Sequence, residues 1–552
     1  MEEIHHITGA ELSDKDVQQS PADTLSSGSH PFQKSTADVV FASSDNVAFR
    51  VHRVILAEAS EFFELMFTLP QPAVTPPNLP IDRGNHAARN IEQTEMDGLP
   101  LLRVPETSSV LENLFRFCYP IQDPALTSLE DIIATLEAAA KYDMREGVHI
   151  LQERLATFVH TDPLRLYAIA CRHLLEDVAA AAAGEAVRQE LDVHYVDDMA
   201  HISAGAFYRL AFYCHIKGKV SALFTFCRPN YAREDGTGAW RPEKAGWDSK
   251  FDPGLRFPPP DATIRGIDAE FGVHSAIVCQ ASQVLQDLFC HIGPPEASGP
   301  APNDAPLTIE LSEDGRTLSA LLRLCYGQDV GQIHVEEVTD ALALAIAYKI
   351  ENATTRLADA LRSSARDNPV RAYLIASRFG LSSLAQHAAR LTLGESIEWP
   401  YYTQLEDVSA KAYDNLLQYR RVCSEAATAT LDDLRWMQTP PPTFSSHPSG
   451  CFREYACATG TRRLPCWCTA FLRCLKGAVQ SAPLARTATS VEQLAAALSD
   501  PTVRFCSRCE RSLGVAEFGQ ISSLLAEAID RAVSKVGICG MNDSMFLRRL
   551  IS

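Results

Sequence analysis

The chain repeats itself. His274 follows His52, and Ser282 follows Ser60, by 222 residues when Asp261–Phe289 is placed beneath Asp38–Phe67. Further on, Cys325-Tyr326 follows Cys118-Tyr119 by 207 residues, and Tyr348, Pro369, Tyr373 and Ser409 follow Tyr142, Pro163, Tyr167 and Ser203 by 206. A register held over such distances marks two copies of one folding unit, which fixes the domain plan before any element is assigned. The drop from 222 to 207 places an extra loop in the first copy, within Pro70–Leu99, where Pro, Asn and Asp abound and an exposed insertion is expected.

In the first copy Val39, Val40 and Phe41 form a short apolar run. Ser43–Asn46 supply turn residues, and Val47, Phe49 and Val51 alternate with small or polar neighbours, the pattern of a strand hairpin. From Arg53 onward Val54, Ile55, Ala59, Phe62, Phe63 and Met66 recur at helical spacing with Glu58, Glu61 and Glu64 off the stripe, so a helix is expected there. A further strand fits Leu101–Val104, and Ser108 reads as an N-cap ahead of Val110, Leu111, Leu114, Phe115 and Phe117.

This order of elements resembles the BTB/POZ family. Asp38, Asp45, Val51-His52, Leu56, Ser60, Phe63, Met66 and Phe117-Cys118-Tyr119 stand where that family's pattern wants them, and His274, Ser282 and Tyr326 repeat it in the second copy. The resemblance implies a small sheet plus helices that dimerises, recruits protein partners and carries no catalysis. His52 reads as a structural histidine that hydrogen-bonds and packs, since no cluster of Cys, His or carboxylates accompanies it. Downstream, Glu130–Tyr142, Val148–Phe158 and a segment starting at Asp162-Pro163 are expected helices, and such an extension resembles the BACK region of many BTB adaptors. The second copy departs from the pattern: Ile264 replaces Phe41, and Asp287 stands on the helix face that carries Leu65, so a different partner surface is expected.

The expected fold class is α+β: two BTB/POZ-like units, each followed by BACK-like helices, and a mostly helical, cysteine-rich C-terminal region. The boundaries read as a disordered tail at 1–34, a first BTB unit at 35–122 with helices to 227, and a linker at 228–260. A divergent second unit follows at 261–330 with helices to 436, then a Pro-rich linker at 437–450 and the cysteine-rich region at 451–552. The 33-residue linker has a span of roughly 30 Å. Pairing of the two BTB units inside one chain is therefore within reach. An effective concentration on the order of millimolar favours it over a homodimer.

Eight of the sixteen cysteines fall between Cys451 and Cys539. Cys506-Ser507-Arg508-Cys509 is a pair whose thiolates can reach one tetrahedral Zn²⁺, provided two more ligands come from elsewhere. Cys451 and Cys457 are the upstream candidates, with Cys466, Cys468 and Cys474 competing. Two readings stand, a structural zinc on Cys506, Cys509, Cys451 and Cys457, or thiols buried as small hydrophobes. A redox reading is weaker, because helical segments such as Val491–Leu498 and Gly519–Val536 flank the pair rather than a βαβ pattern.

With 50 Lys+Arg against 69 Asp+Glu the net charge is −19, which repels a phosphate backbone, and the densest basic groups are mere pairs such as Arg420–Arg421 and Arg462–Arg463. No nucleic-acid partner is expected, and no apolar run suits a membrane helix. Met1–His30 lacks the pattern of a secretory signal, so a cytoplasmic or nuclear location is expected. P-loop, Rossmann, G-x-S-x-G and H-E-x-x-H patterns do not occur, and neither does a kelch-like period. The function expected is a non-enzymatic protein-interaction scaffold. A substrate adaptor of a cullin-type ubiquitin ligase is the alternative, ahead of a transcriptional regulator or an enzyme.

Overall fold

The computed structural model describes residues 25–69, 95–229, 259–291, 307–328, 335–395, 401–437, 444, 447–458, 460–501, 503–511 and 515–537. Most of the expected tail, the 70–99 insertion and both linkers lie outside the described residues. The fold is mixed α+β and mostly helical, and the chain divides into two compact units, 1–169 and 170–552.

The first unit is built around the expected hairpin. Strands Val39–Ala42 and Val47–Val51 pair antiparallel, with Val39 opposite Val51 and Phe41 opposite Phe49. Asn46 closes the turn at φ 60°, a left-handed conformation that asparagine tolerates. Strand Leu99–Arg103 lies parallel to Val39–Ala42 on its other side, and Ser26–Ser27 and Glu95–Met96 form the edges. Alternation along the strands splits the side chains between two faces. Val40, Ala42, Ala48 and Leu101 cluster on one. Phe41 and Phe49 meet Phe115 at ring distances of 5.5 and 5.7 Å, and Phe41 meets Phe63 at 5.7 Å.

The helix expected from Arg53 onward is two helices, Arg53–Ala59 and Glu61–Thr68. Ser60 breaks it. Its backbone is extended, at φ −154° and ψ 119°, and its Oγ accepts from the Phe63 amide at 3.1 Å while donating to the Tyr142 carbonyl at 2.5 Å. The break rotates the apolar stripe, so that Leu56 and Phe63 are buried while Val54 and Phe62 are exposed. Met66 is only half-buried. Ser108 opens the helix Ser108–Cys118 rather than capping it, and its cap comes from the hairpin turn. The Asp45 carboxylate accepts from the Ser108 amide at 2.8 Å and from its hydroxyl at 2.6 Å. A carboxylate at a helix N-terminus is favourable, and the Ser108 hydroxyl above all holds Asp45 down at about 2.

In the second unit, strand Ala262–Arg265 pairs antiparallel with Glu270–Val273 and parallel with Leu307–Glu310. Helices Ser275–Ala281 and Gln283–His291 again break at an extended serine, Ser282, at φ −144°. Among the described residues six longer helices follow, from Gly315–Cys325 to Ala410–Asp432. The described part of the C-terminal region is mostly helical and also carries a strand pair. Strands Phe452–Cys457 and Gly460–Pro465 form a hairpin ahead of helix Cys466–Ser481. Its inward residues are few, chiefly Tyr455 and Leu464, so no two-residue period is visible in the sequence.

Phe63 stacks on Tyr142 at 5.1 Å, so Phe63→Ala should cost about 3–5 kcal/mol in denaturant unfolding, and half-buried Met66→Ala less. Glu58→Ala, on the exposed face, should stay within about 0.5 kcal/mol. Asp45 supplies stability present above its ordinary value of 3.8 and lost as pH falls toward 2. Asp45→Asn should therefore lower the melting temperature at neutral pH and flatten its decline between about pH 4 and pH 2.

Candidate metal centre

The signature residues of the first unit form a connected hydrogen-bond set. The Tyr119 hydroxyl meets the His52 amide at 2.8 Å and His52 Nδ1 at 3.0 Å, while Asp38 accepts from the Arg53 amide at 2.8 Å. The second unit repeats each contact. The Tyr326 hydroxyl meets the His274 amide at 2.7 Å and Nδ1 at 2.8 Å, and Asp261 accepts from the Ser275 amide at 2.6 Å. Ser282 Oγ donates to the Tyr348 carbonyl at 2.6 Å, as Ser60 does to Tyr142. Burial pushes both Cys118 and Cys325 up to about 12. Leu56 and Phe63 fill the core beside this set. These contacts hold the folds together.

The chemistry gathers instead in the C-terminal region. Pro448 leads into a short turn that buries Cys451, directly before strand Phe452–Cys457. Cys506 and Cys509 lie at the start of the short helix Ser507–Arg511, and the Cys509 amide donates to Cys506 Sγ at 3.5 Å. His447 completes the group: its Nδ1 lies 3.4 Å from Cys451 Sγ and 3.6 Å from Cys509 Sγ, and those two sulfurs are 3.7 Å apart. All four donor atoms of His447, Cys451, Cys506 and Cys509 fall within 4.8 Å of one another. Zn–S bonds of about 2.3 Å and a Zn–N bond of about 2.1 Å imply tetrahedron edges of roughly 3.5–3.8 Å, so the spacing suits one tetrahedral ion.

A second layer orients the imidazole. His447 Nε2 lies 3.0 Å from Glu517 Oε2, with both side chains buried, and Arg508 reaches the other Glu517 oxygen at 3.4 Å. With the Nε2 proton directed at the carboxylate, Nδ1 faces the sulfurs as a lone pair, the arrangement typical of metal-bound histidine. Burial raises the Cys451 thiol to about 11 and also pushes up Cys509. Although burial opposes its anion too, the Cys509 amide and the neighbouring thiols bring Cys506 down to about 6.

Three of the four cysteines expected to hold a metal are therefore brought together, and Cys457 is not. Six residues of extended strand carry it roughly 20 Å from Cys451, and its Sγ lies 2.9 Å from the Gly460 carbonyl. His447 takes the fourth place. The signal in the sequence is the spacing His447-x₃-Cys451, a ligand interval that a search among cysteines alone passes over. Of the competing thiols, Cys466 lies 3.6 Å from Cys451 Sγ at the edge of the group. Cys468 is a core residue, and burial pushes it up to about 12.

No helix among the described residues is long and apolar enough to cross a membrane. No curated protein matches the chain. Residues 29–88 match the family model of the BTB/POZ domain, a module of protein–protein interaction, and this stretch holds the hairpin and the helix pair broken at Ser60.

Proposed function

We propose that the chain is a non-enzymatic, intracellular interaction scaffold with two BTB-like units, each followed by BACK-like helices. The observation that carries the reading is the hydrogen-bond set of His52, Tyr119, Ser60 and Tyr142, which recurs on His274, Tyr326, Ser282 and Tyr348 behind a BTB/POZ match. The two units offer different surfaces. On the first, Val54, Phe62, Leu65 and Leu69 are exposed apolar side chains. Their counterparts are Ala276, Val284, Asp287 and His291, and Glu58, Glu61 and Glu64 correspond to Gln280, Gln283 and Gln286. Exposed apolar side chains grouped on one helix pair mark an association surface. On the second unit's helix pair Leu288 alone is an exposed large apolar side chain among the described residues, so this face is free to serve another partner.

An adaptor of a cullin-type ubiquitin ligase is the more specific version, favoured by the helices that follow each unit. Affinity purification with the full chain tests both. Partners should be recovered with the wild type and fall by about tenfold or more with Leu65→Asp, which copies the second unit, while the unfolding free energy stays within about 0.5 kcal/mol. A cullin among them selects the adaptor, and equal recovery with Leu65→Asp removes the association surface. Pairing inside one chain predicts a light-scattering mass of 60.6 kDa. Twice that mass, reduced by Leu65→Asp, would assign pairing to two chains.

The same proposal includes a structural zinc on His447, Cys451, Cys506 and Cys509, with Glu517 orienting His447. Its role is to join the 447–451 turn, the 506–509 turn and helix Val515–Ser534 into one body. Protein purified without chelator should contain about one zinc per chain, and chelation should lower its melting temperature, because an ion bound only by the folded state stabilises it. Cys509→Ser should lose the metal and Cys457→Ser keep it. Metal-free protein of unchanged stability would remove the zinc and leave the scaffold reading standing.

A further inference from the structure

Helices Ala204–His215 and Ala410–Asp432 begin 206 residues apart, at equivalent places in the two repeats, and they meet each other. Ser203 and Ser409 face across an antiparallel bridge. The Ala204 amide donates to the Val408 carbonyl at 2.8 Å, and the Ala410 amide donates to the Ile202 carbonyl at 3.0 Å. Exchanging the repeats turns either bond into the other, which is the mark of a two-fold axis through the bridge. The surroundings obey it as well. A 3₁₀ turn precedes each helix, at Asp197–His201 and Thr403–Asp407. Ser203 Oγ accepts from the Ala206 amide at 3.1 Å, as Ser409 Oγ does from Ala412 at 3.2 Å, and Phe207 meets its equivalent Tyr413 edge-on at 6.0 Å.

Side chains break the symmetry on one side of the axis. Glu406 accepts from Ser203 Oγ at 2.8 Å, from Tyr401 Oη at 2.7 Å and from the Arg209 guanidinium. Arg209 is buried and also donates to the Phe226 carbonyl at 2.9 Å and to Cys227 at 3.2 Å. Gly205 leaves the room that the carboxylate fills: a Cβ there would lie 1.6 Å from Glu406 Oε1. The equivalents on the other side are Ala200 for Glu406, Asn415 for Arg209 and Lys411 for Gly205.

We propose that this is a heterotypic docking surface, on which Arg209, Gly205 and Glu406 commit the helices of the first repeat to those of the second and refuse a like region from another copy of the chain. The proposal rests on the reading of the chain as two copies of one unit. Two first-repeat regions about this axis would set each Arg209 against Ala200, burying guanidiniums without carboxylates. Two second-repeat regions would set Glu406 against Asn415 and put the Lys411 side chain in the room that Gly205 leaves for the carboxylate, a steric clash. An unpaired buried ion is among the costliest faults an interface can have, so the pair acts by excluding alternatives as much as by attraction.

Because the flanking residues carry the hydrogen bonds, Ser203 and Ser409 form a non-hydrogen-bonded pair with Cα atoms about 4.5 Å apart, within the ~4.4–6.8 Å reach of a disulfide. In the full chain, Ser203→Cys with Ser409→Cys should on mild oxidation give a 203–409 link inside one chain, seen as single-chain mass on a non-reducing gel and as the linked peptide by mass spectrometry, with wild type as control for native thiols. Ser203→Cys alone should give no 203–203 link between chains, and Ser409→Cys alone no 409–409 link. Adding Arg209→Asn and Glu406→Ala makes two of the three asymmetric positions alike on both sides of the axis and leaves Gly205 to accommodate either, and the 203–203 link should then rise by about tenfold, the factor that 1.4 kcal/mol of lost discrimination produces. The 203–409 link formed in that background reports that the surface still folds. A like-with-like link in the otherwise unaltered chain, or no rise after the pair is removed, overturns the proposal. Failure of the 203–409 link itself overturns the two-copy pairing on which it rests.

Discussion

One buried hydroxyl in each repeat holds the local architecture together. Ser60 and Ser282 stand between two short helices, cap the second, and donate to a backbone carbonyl, Tyr142 or Tyr348, far along the chain. Without that partner the extended serine would be an arbitrary interruption of an otherwise periodic helix. With it, the break is fixed in place, and so is the direction in which Phe63 and Leu285 enter their cores. The tyrosines are anchored in turn at their other ends, where Tyr142 donates to Glu106 at 2.7 Å and Tyr348 to Glu313 at 2.8 Å. Next to them Asp143 and Lys349 take left-handed φ values of 47° and 54°, so the chain turns into the following helix the same way in both repeats.

Around that common set of contacts the two segments differ by position. Residues that make the shared contacts are kept, whereas residues on the exposed helix faces have changed chemical class, Leu65 to Asp287 and three glutamates to glutamines. On the proposed reading of the chain as two copies of one unit, neither copy need be self-complementary and each surface can specialise. The Ser203–Ser409 axis shows the same logic at a buried interface. Backbone bonds obey the two-fold, and the side chains that decide partner choice do not.

The C-terminal region depends on a different kind of constraint. Its donors come from a turn, a short helix and, through Glu517, the helix Val515–Ser534. A hairpin with few inward residues contributes little apolar burial of its own. The three thiols and the imidazole gathered there could hold a metal ion, which would join these segments through bonds rather than through apolar burial.

The sequence alone determined the offsets at which its two like segments correspond, the hairpin with its turn at Ser43–Asn46, helix Val491–Leu498, and the pair Cys506 and Cys509, because each is written in local spacing or in residue identity at a fixed offset. Tertiary structure decided the rest. Helical periodicity runs through Ser60 without a gap, and only the distant Tyr142 carbonyl makes a break favourable there. Cys457 stands close to Cys451 in the sequence, but the intervening residues are extended and carry it away, and Glu517 joins the cluster from a segment whose approach no spacing rule encodes. Arg209 and Glu406 are ordinary charges in the sequence. Their meaning depends on a two-fold axis, and an axis exists only once the chain has folded back upon itself.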